Sequence, residues 1–80
     1  MNSKLKSIFE VIDAQLDDIP NNQNFSLPEL YGEKEWDKLY IGDRVMAGNM
    51  FRREVLQGHY INVSLLPKKD RKKRTQYLKH

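Results

Sequence analysis

Six of the seven positions from 68 to 74 are basic: Lys68, Lys69, Arg71, Lys72, Lys73 and Arg74, with Asp70 the one acid among them. Bases at that density attract phosphates, because each phosphate neutralised releases condensed counterions. The competing use of such a run is a solvating loop with no partner. A second constellation lies upstream. At ~100° per residue on a helix, Asn49, Arg53 and Gln57 fall on one polar stripe, with Arg52 and Leu56 at its edge. Asn, Arg and Gln are the side-chain types that pair with adenine and guanine edges. An ordinary solvated helix face has the same composition, so the stripe alone does not decide.

The pieces for catalysis are missing. There is no nucleophile elbow, no phosphate-cradling glycine loop and no clear acid–base pair, so neither an enzyme nor a small-molecule substrate is expected. Asp13, Asp17 and Asp18 fall on the outer side of a first helix, where solvation accounts for them. His59 and His80 lack the spacing of a metal site, and no cofactor is expected. Without cysteine there is no disulfide, thiol nucleophile or Cys-ligated zinc. Tyr31, Tyr40, Tyr60 and Tyr77 could stack on unpaired bases. Tyr60 and Tyr77, on facing strands, are the pair best placed for it, and cross-strand packing explains them equally well.

These residues need a scaffold that 80 amino acids can build, which is one domain around one small core. The longest apolar runs are two or three residues, against the ~20 that a spanning helix requires. No apolar stretch follows Lys4 and Lys6, so a signal peptide is not expected and a cytoplasmic location is the default. The net charge of +3 conceals an asymmetry: residues 1–40 carry −4 and residues 41–80 carry +7. That segregation points to an anionic partner for the second half.

Leu5, Ile8, Phe9, Ile12, Leu16 and Ile19 recur at helical spacing and predict an N-terminal helix within residues 1–20. Asn2 or Ser3 can cap it and Pro20 ends it. Its apolar stripe must cover either its own core or a second copy of the chain. Asn21, Asn22, Gln23 and Asn24 read as a polar hinge. Ser26 and Glu29 then have the spacing of a capping box, flanked by Phe25 and Leu30 at the staple positions, with Pro28 in the first turn. A short helix therefore starts near Leu27 and closes at Gly32, and another turn or two covers 33–39. Trp36 on that turn reads as core, with base stacking as the alternative.

A longer helix is predicted over 44–57, restarted by Gly42 and Asp43 and stopped by Gly58. Ala47, Gly48, Phe51 and Val55 share its inner side, and Gly48 there predicts close approach of another helix. Arg44 in the first turn suits an ion pair with Glu33 or Asp37, with a phosphate contact as the alternative. From Tyr60 the period becomes two: Ile61, Val63 and Leu65 face one way, and Pro67 ends the strand. His59 simply leads into it. A returning strand over 75–79 completes a hairpin whose tip is the basic run.

The predicted fold is α+β and winged-helix-like: three to four helices with a C-terminal β-hairpin. In one domain over 1–80, the helix of 1–20 precedes a helix-turn-helix-like core over 25–58 and a basic wing over 59–80. Such folds place a recognition helix in the major groove and the wing along the phosphates. The first expectation is thus a duplex-DNA-binding module. The alternative is a protein-interaction or homodimerisation module that docks through the acidic first helix and its apolar stripe.

Phe25-Ser-Leu-Pro-Glu-Leu-Tyr-Gly, followed by Trp36, Leu39, Gly42, Arg44, Gly48, Phe51 and Val55 in register, resembles a family of small uncharacterised bacterial proteins. That family is a domain of unknown function from Firmicute chromosomes and their mobile elements. The resemblance covers about residues 25–78 and leaves the first helix outside. It implies a shared fold and brings no activity, substrate or catalytic residue. It also implies a larger aliphatic residue at 47 and a base at 49, where this chain has Ala47 and Asn49.

Overall fold

A computed structural model describes residues 3–80. The elements run α1 (Ser3–Leu16), β1 (Gln23–Phe25), α2 (Leu27–Tyr31), α3 (Glu33–Asp37), α4 (Ile41–Leu56), β2 (Val63–Leu65) and β3 (Tyr77–Lys79). The fold is α+β, as its patterning predicts. Leu5, Ile8, Ile12 and Leu16, spaced three and four apart, bury one stripe of α1. That stripe covers the chain's own core, so it is not free to bind a second copy. Ser3 is the first helical residue, and Asn2, the other candidate cap, lies outside the described residues.

The capping box forms as its spacing requires. Ser26 Oγ accepts from the Glu29 N–H, while Glu29 Oε1 accepts from the Ser26 N–H at 3.1 Å and from its hydroxyl at 2.7 Å. Ser26 is fully buried, so its N–H, carbonyl and hydroxyl must all find partners within the chain, the carbonyl accepting from the Leu30 N–H at 3.0 Å. Gly32 ends α2 at φ +109°, a left-handed conformation open to glycine, and turns the chain directly into α3.

The three strands form an antiparallel sheet in the order β1-β3-β2. Phe25, Tyr77 and Leu65 lie in one cross-strand row, Asn24, Leu78 and Ser64 in the next, and Gln23, Lys79 and Val63 in the one after that. The polar segment before Phe25 is thus not merely a hinge. It supplies an edge strand whose pairing is with the far end of the chain. The period-two reading runs too far at Ile61, which precedes β2 and is 83% exposed.

Phe51 joins the two layers. Its ring meets Tyr77 at 4.9 Å, Tyr60 at 5.0 Å and Phe25 at 6.5 Å, and Phe25 stacks on Tyr77 at 5.6 Å. Trp36 is buried in the same core, as expected, with its edge contact to Tyr31. Burial pushes the Tyr77 phenol up to about 12. Phe51→Ala should cost about 3–5 kcal/mol by truncating this hub, against a total of roughly 4–12 kcal/mol for a domain of this length. Ser26→Ala should cost about 1 kcal/mol. Urea unfolding followed through Trp36 reads both, and equal effects would show that the aromatic cluster is not the hub.

Candidate functional site

The basic run is an ordered turn organised by its one acid. Asp70 Oδ1 accepts from the backbone N–H of Lys72 and of Arg74, both at 2.9 Å, and Oδ2 accepts from Arg74 Nε at 2.9 Å. Lys73 takes φ +61° at the bend, a conformation that few non-glycine residues adopt. Arg74 then crosses to the α2–α3 side: Nη1 donates to Glu33 Oε1 at 2.7 Å, and Nη2 lies 3.9 Å from Glu29. Lys72 Nζ is 3.6 Å from Glu33. The hydrogen bond from Arg74 and the nearby charges hold the Glu33 carboxyl below its usual range, and bonds from the Arg74 backbone do the same for Asp70. The guanidinium in turn is held above its ordinary value, chiefly by its bond to Glu33.

The six sequence-predicted wing bases therefore divide. Arg74 is an anchor and Lys72 leans on the same acid. Lys68, Lys69, Arg71 and Lys73 are exposed and form no ion pair among the described residues.

Helix α4 begins at Ile41, so Gly42 and Asp43 lie inside its first turn. Ala47, Phe51 and Val55 face the core, as expected, but Gly48 does not meet another helix. A Cβ built there would find nothing within 4 Å. Gly48 instead opens onto a cleft of about 450 Å³ between α4 and the wing. Ile41, Arg44 and Val45 continue the α4 wall, and Lys73, Arg74 and Thr75 form the wing side.

Asn49, Arg52, Arg53 and Gln57 are all exposed. Their positions relative to the wing differ. Arg52 lies about 40° round the helix from Gly48, and its charge is felt by Tyr77 on the sheet. Asn49 is about 100° round. Arg53 and Gln57 lie about 140° and 180° away, on the side opposite the cleft. The fold thus sets Arg52 on the same side of α4 as the cleft and leaves Arg53 and Gln57 turned away from it.

Arg44 pairs with Asp37, one of its two predicted partners, but only at 3.8 Å, and Glu33 pairs with the wing instead. The Arg44 Nε is buried without a hydrogen-bond partner, a condition shared among the described residues by Gln76 Nε2. The tyrosine pair is not available for stacking. Tyr77 is buried, and Tyr60 packs on Phe51 while its hydroxyl donates to Asp13 at 2.8 Å. Burial and the bond to Asp13 raise the Tyr60 phenol well above its ordinary value. His59 pairs with Glu54, and His80 Nε2 meets Ser64 Oγ at 2.7 Å. Among the described residues no group of three or more acids and histidines could hold a metal. None of their helices is long and apolar enough to cross a membrane.

Sequence reasoning missed two features of the α4 surface. Tyr40 and Ile41 are 72% and 62% exposed, and Val45 and Met46 follow them along the helix at 56% and 47%. The low apolar contrast of α4 in the sequence was the available signal. Gly48, read as a packing residue, lines the cleft instead.

The site is thus an α+β scaffold presenting a helix and an anchored basic loop on either side of one cleft. The chain belongs to the family described as a domain of unknown function (DUF1413), whose model matches residues 10–79. The match begins within α1, further toward the N-terminus than the sequence motifs alone suggest. No curated protein and no solved structure matches the chain.

The wing anchor sets a pH expectation. Carboxyls held below their ordinary value stabilise the fold above that value, and their contribution is lost as pH falls through the lowered one. The wing should stay docked through the ordinary carboxylate range near pH ~4 and release only in stronger acid. Amide exchange over 68–75, measured from pH 7 downward, reads this. Asp70→Ala should accelerate that exchange already at pH 7 without shifting global unfolding. Release near pH 6 would exclude the carboxyl anchor.

Proposed function

We propose that this protein is a nucleic-acid-binding module of winged-helix type, with duplex DNA as its partner. The observation that carries the reading is the pairing of four unneutralised wing cations with the open face of a 16-residue helix. The element order and the sheet order β1-β3-β2 support it, because the second and third strands form a hairpin directly after the long helix. In this reading Lys68, Lys69, Arg71 and Lys73 hold phosphates, while Arg52 and Asn49 approach base edges. Arg74 and Lys72 serve the loop's shape. Arg53 and Gln57 are too far round the helix to act together with the wing.

Four phosphate contacts give a log–log salt slope of about −3.6. Affinity for a random-sequence duplex, read by fluorescence anisotropy, should therefore fall about a hundredfold between 50 and 200 mM salt. Lys68→Glu with Lys69→Glu and Arg71→Glu should abolish binding while leaving the thermal midpoint unchanged, since none of the three has a partner to lose. Binding that survives this triple reversal would exclude the wing as the contact.

A second reading rests on the exposed apolar side chains Tyr40, Ile41, Val45 and Met46. Tyr40 caps α4 and the other three lie in its N-terminal half, where a recognition helix usually meets base edges. An apolar patch there suits a protein partner or a second copy of the chain. This reading expects a mass that rises with concentration, or a partner lost on Val45→Lys with Met46→Lys. Sedimentation of both chains separates it from the first reading, because neither substitution removes a wing charge.

A further inference from the structure

The geometry points to the cleft between α4 and the wing as a binding site for a small organic monoanion, a carboxylate carried on an apolar body. This inference goes beyond nucleic-acid binding and does not depend on it.

Three observations converge on that ligand. The first is shape. The cavity of about 450 Å³ falls within the range of small-ligand sites. Gly48 lines it without a side chain. A glycine in the middle of a helix costs about 1 kcal/mol against alanine. Nothing within 4 Å of its missing Cβ explains that cost by packing, so what the residue provides is space.

The second observation is unsatisfied polarity. Arg44 lines the cavity with a side chain that is 30% exposed, and its Nε is buried with no acceptor. Its ion pair with Asp37 is 3.8 Å long, and Asp37 itself is largely in water. A half-buried guanidinium with an orphan N–H favours an added oxygen acceptor strongly, since such a bond is charge-assisted.

The third is the balance of charge and apolar surface. Arg74, on the opposite wall, is already neutralised by Glu33 and Asp70. That leaves Lys73, unpaired, as the second cation at the mouth. One loosely paired arginine and one lysine match a single negative charge better than a dianion. Ile41 and Val45 supply apolar wall for the rest of the molecule. A bare inorganic anion would leave that wall wet.

Trp36 lines the cleft and is the protein's one tryptophan, so its fluorescence reports on the site directly. The test titrates the full chain with octanoate, with octylamine, acetate and inorganic phosphate as controls, and with an apolar peptide carrying a free C-terminal carboxylate. A saturable Trp36 response to octanoate or to the peptide upholds the site and tells a free acid from a chain terminus. Gly48→Leu fills the open space and should weaken binding at least tenfold with an unchanged or raised thermal midpoint. Arg44→Gln should weaken it similarly and Arg44→Lys less. The wing triple variant should leave the titration unchanged, which keeps this result separate from DNA binding. Equal responses to octylamine, phosphate or acetate, no saturation, or full binding by Gly48→Leu would each overturn the proposal.

Discussion

The orientation of α4 and the pairing of the first and last strands follow from the packing of the Phe51 ring against three others. Phe25 from β1, Tyr77 from β3 and Tyr60 from the turn after α4 meet it from different parts of the chain. A ring so enclosed leaves α4 little freedom to rotate about its own axis, because a turn of one residue would swing Phe51 out of its socket. With the inner line fixed at Ala47, Phe51 and Val55, the outer line is fixed too. Gly48 and Arg52 are set on the side of the cleft, and Arg53 and Gln57 away from it. The same cluster holds Phe25 beside Tyr77, and hence the register between the first strand and the last. Helix orientation and strand pairing thus have one cause.

The wing depends on a different force. Its bases repel one another, and a loop of six cations in seven positions would ordinarily be extended and solvated. Asp70 accepts two backbone N–H groups and the Arg74 guanidinium, which closes the loop upon itself. Glu33 and Glu29 then draw Arg74 toward the helices. Part of the charge asymmetry between the halves of the chain is therefore internal: acids of the first half hold a base of the second. The cations left over are the ones free to meet an external anion.

What could be read from the sequence was what depends on neighbouring residues. The capping box at Ser26 and Glu29, the buried stripe of α1 and the burial of Trp36 are set within a few positions, and their spacing carries the information. β1 could not be read this way. Three residues with two polar side chains become a strand only because β3, more than fifty residues later, offers backbone partners. Gly42 looked like a break because propensity disfavours glycine in a helix, yet the turn closes through the Arg44 N–H and the Tyr40 carbonyl. Gly48 looked like a packing residue because its partner across the cleft, the wing, is distant in sequence. The bases of 68–74 looked equivalent because their types alone do not show which of them Asp70 holds. The difference arises from Asp70, four positions before Arg74, and from Glu33 on another element.

The composition of the α4 surface bears on what the fold is for. A chain this short has few apolar residues to spare, and the core already takes thirteen. Tyr40, Ile41, Val45 and Met46 nevertheless remain in contact with water at the cap and along the first turns of α4. Scattered singly they would be ordinary surface residues. Here two of them, Ile41 and Val45, line a cleft together with the cations Arg44 and Lys73. A phosphate backbone would use the cations and leave the apolar side chains wet, whereas an apolar partner without charge would leave Arg44 unsatisfied. A ligand that is apolar and singly anionic uses both. If one seats there, it lies between the helix and the wing, and any larger partner that engages those two elements together would meet its occupied form as a different surface.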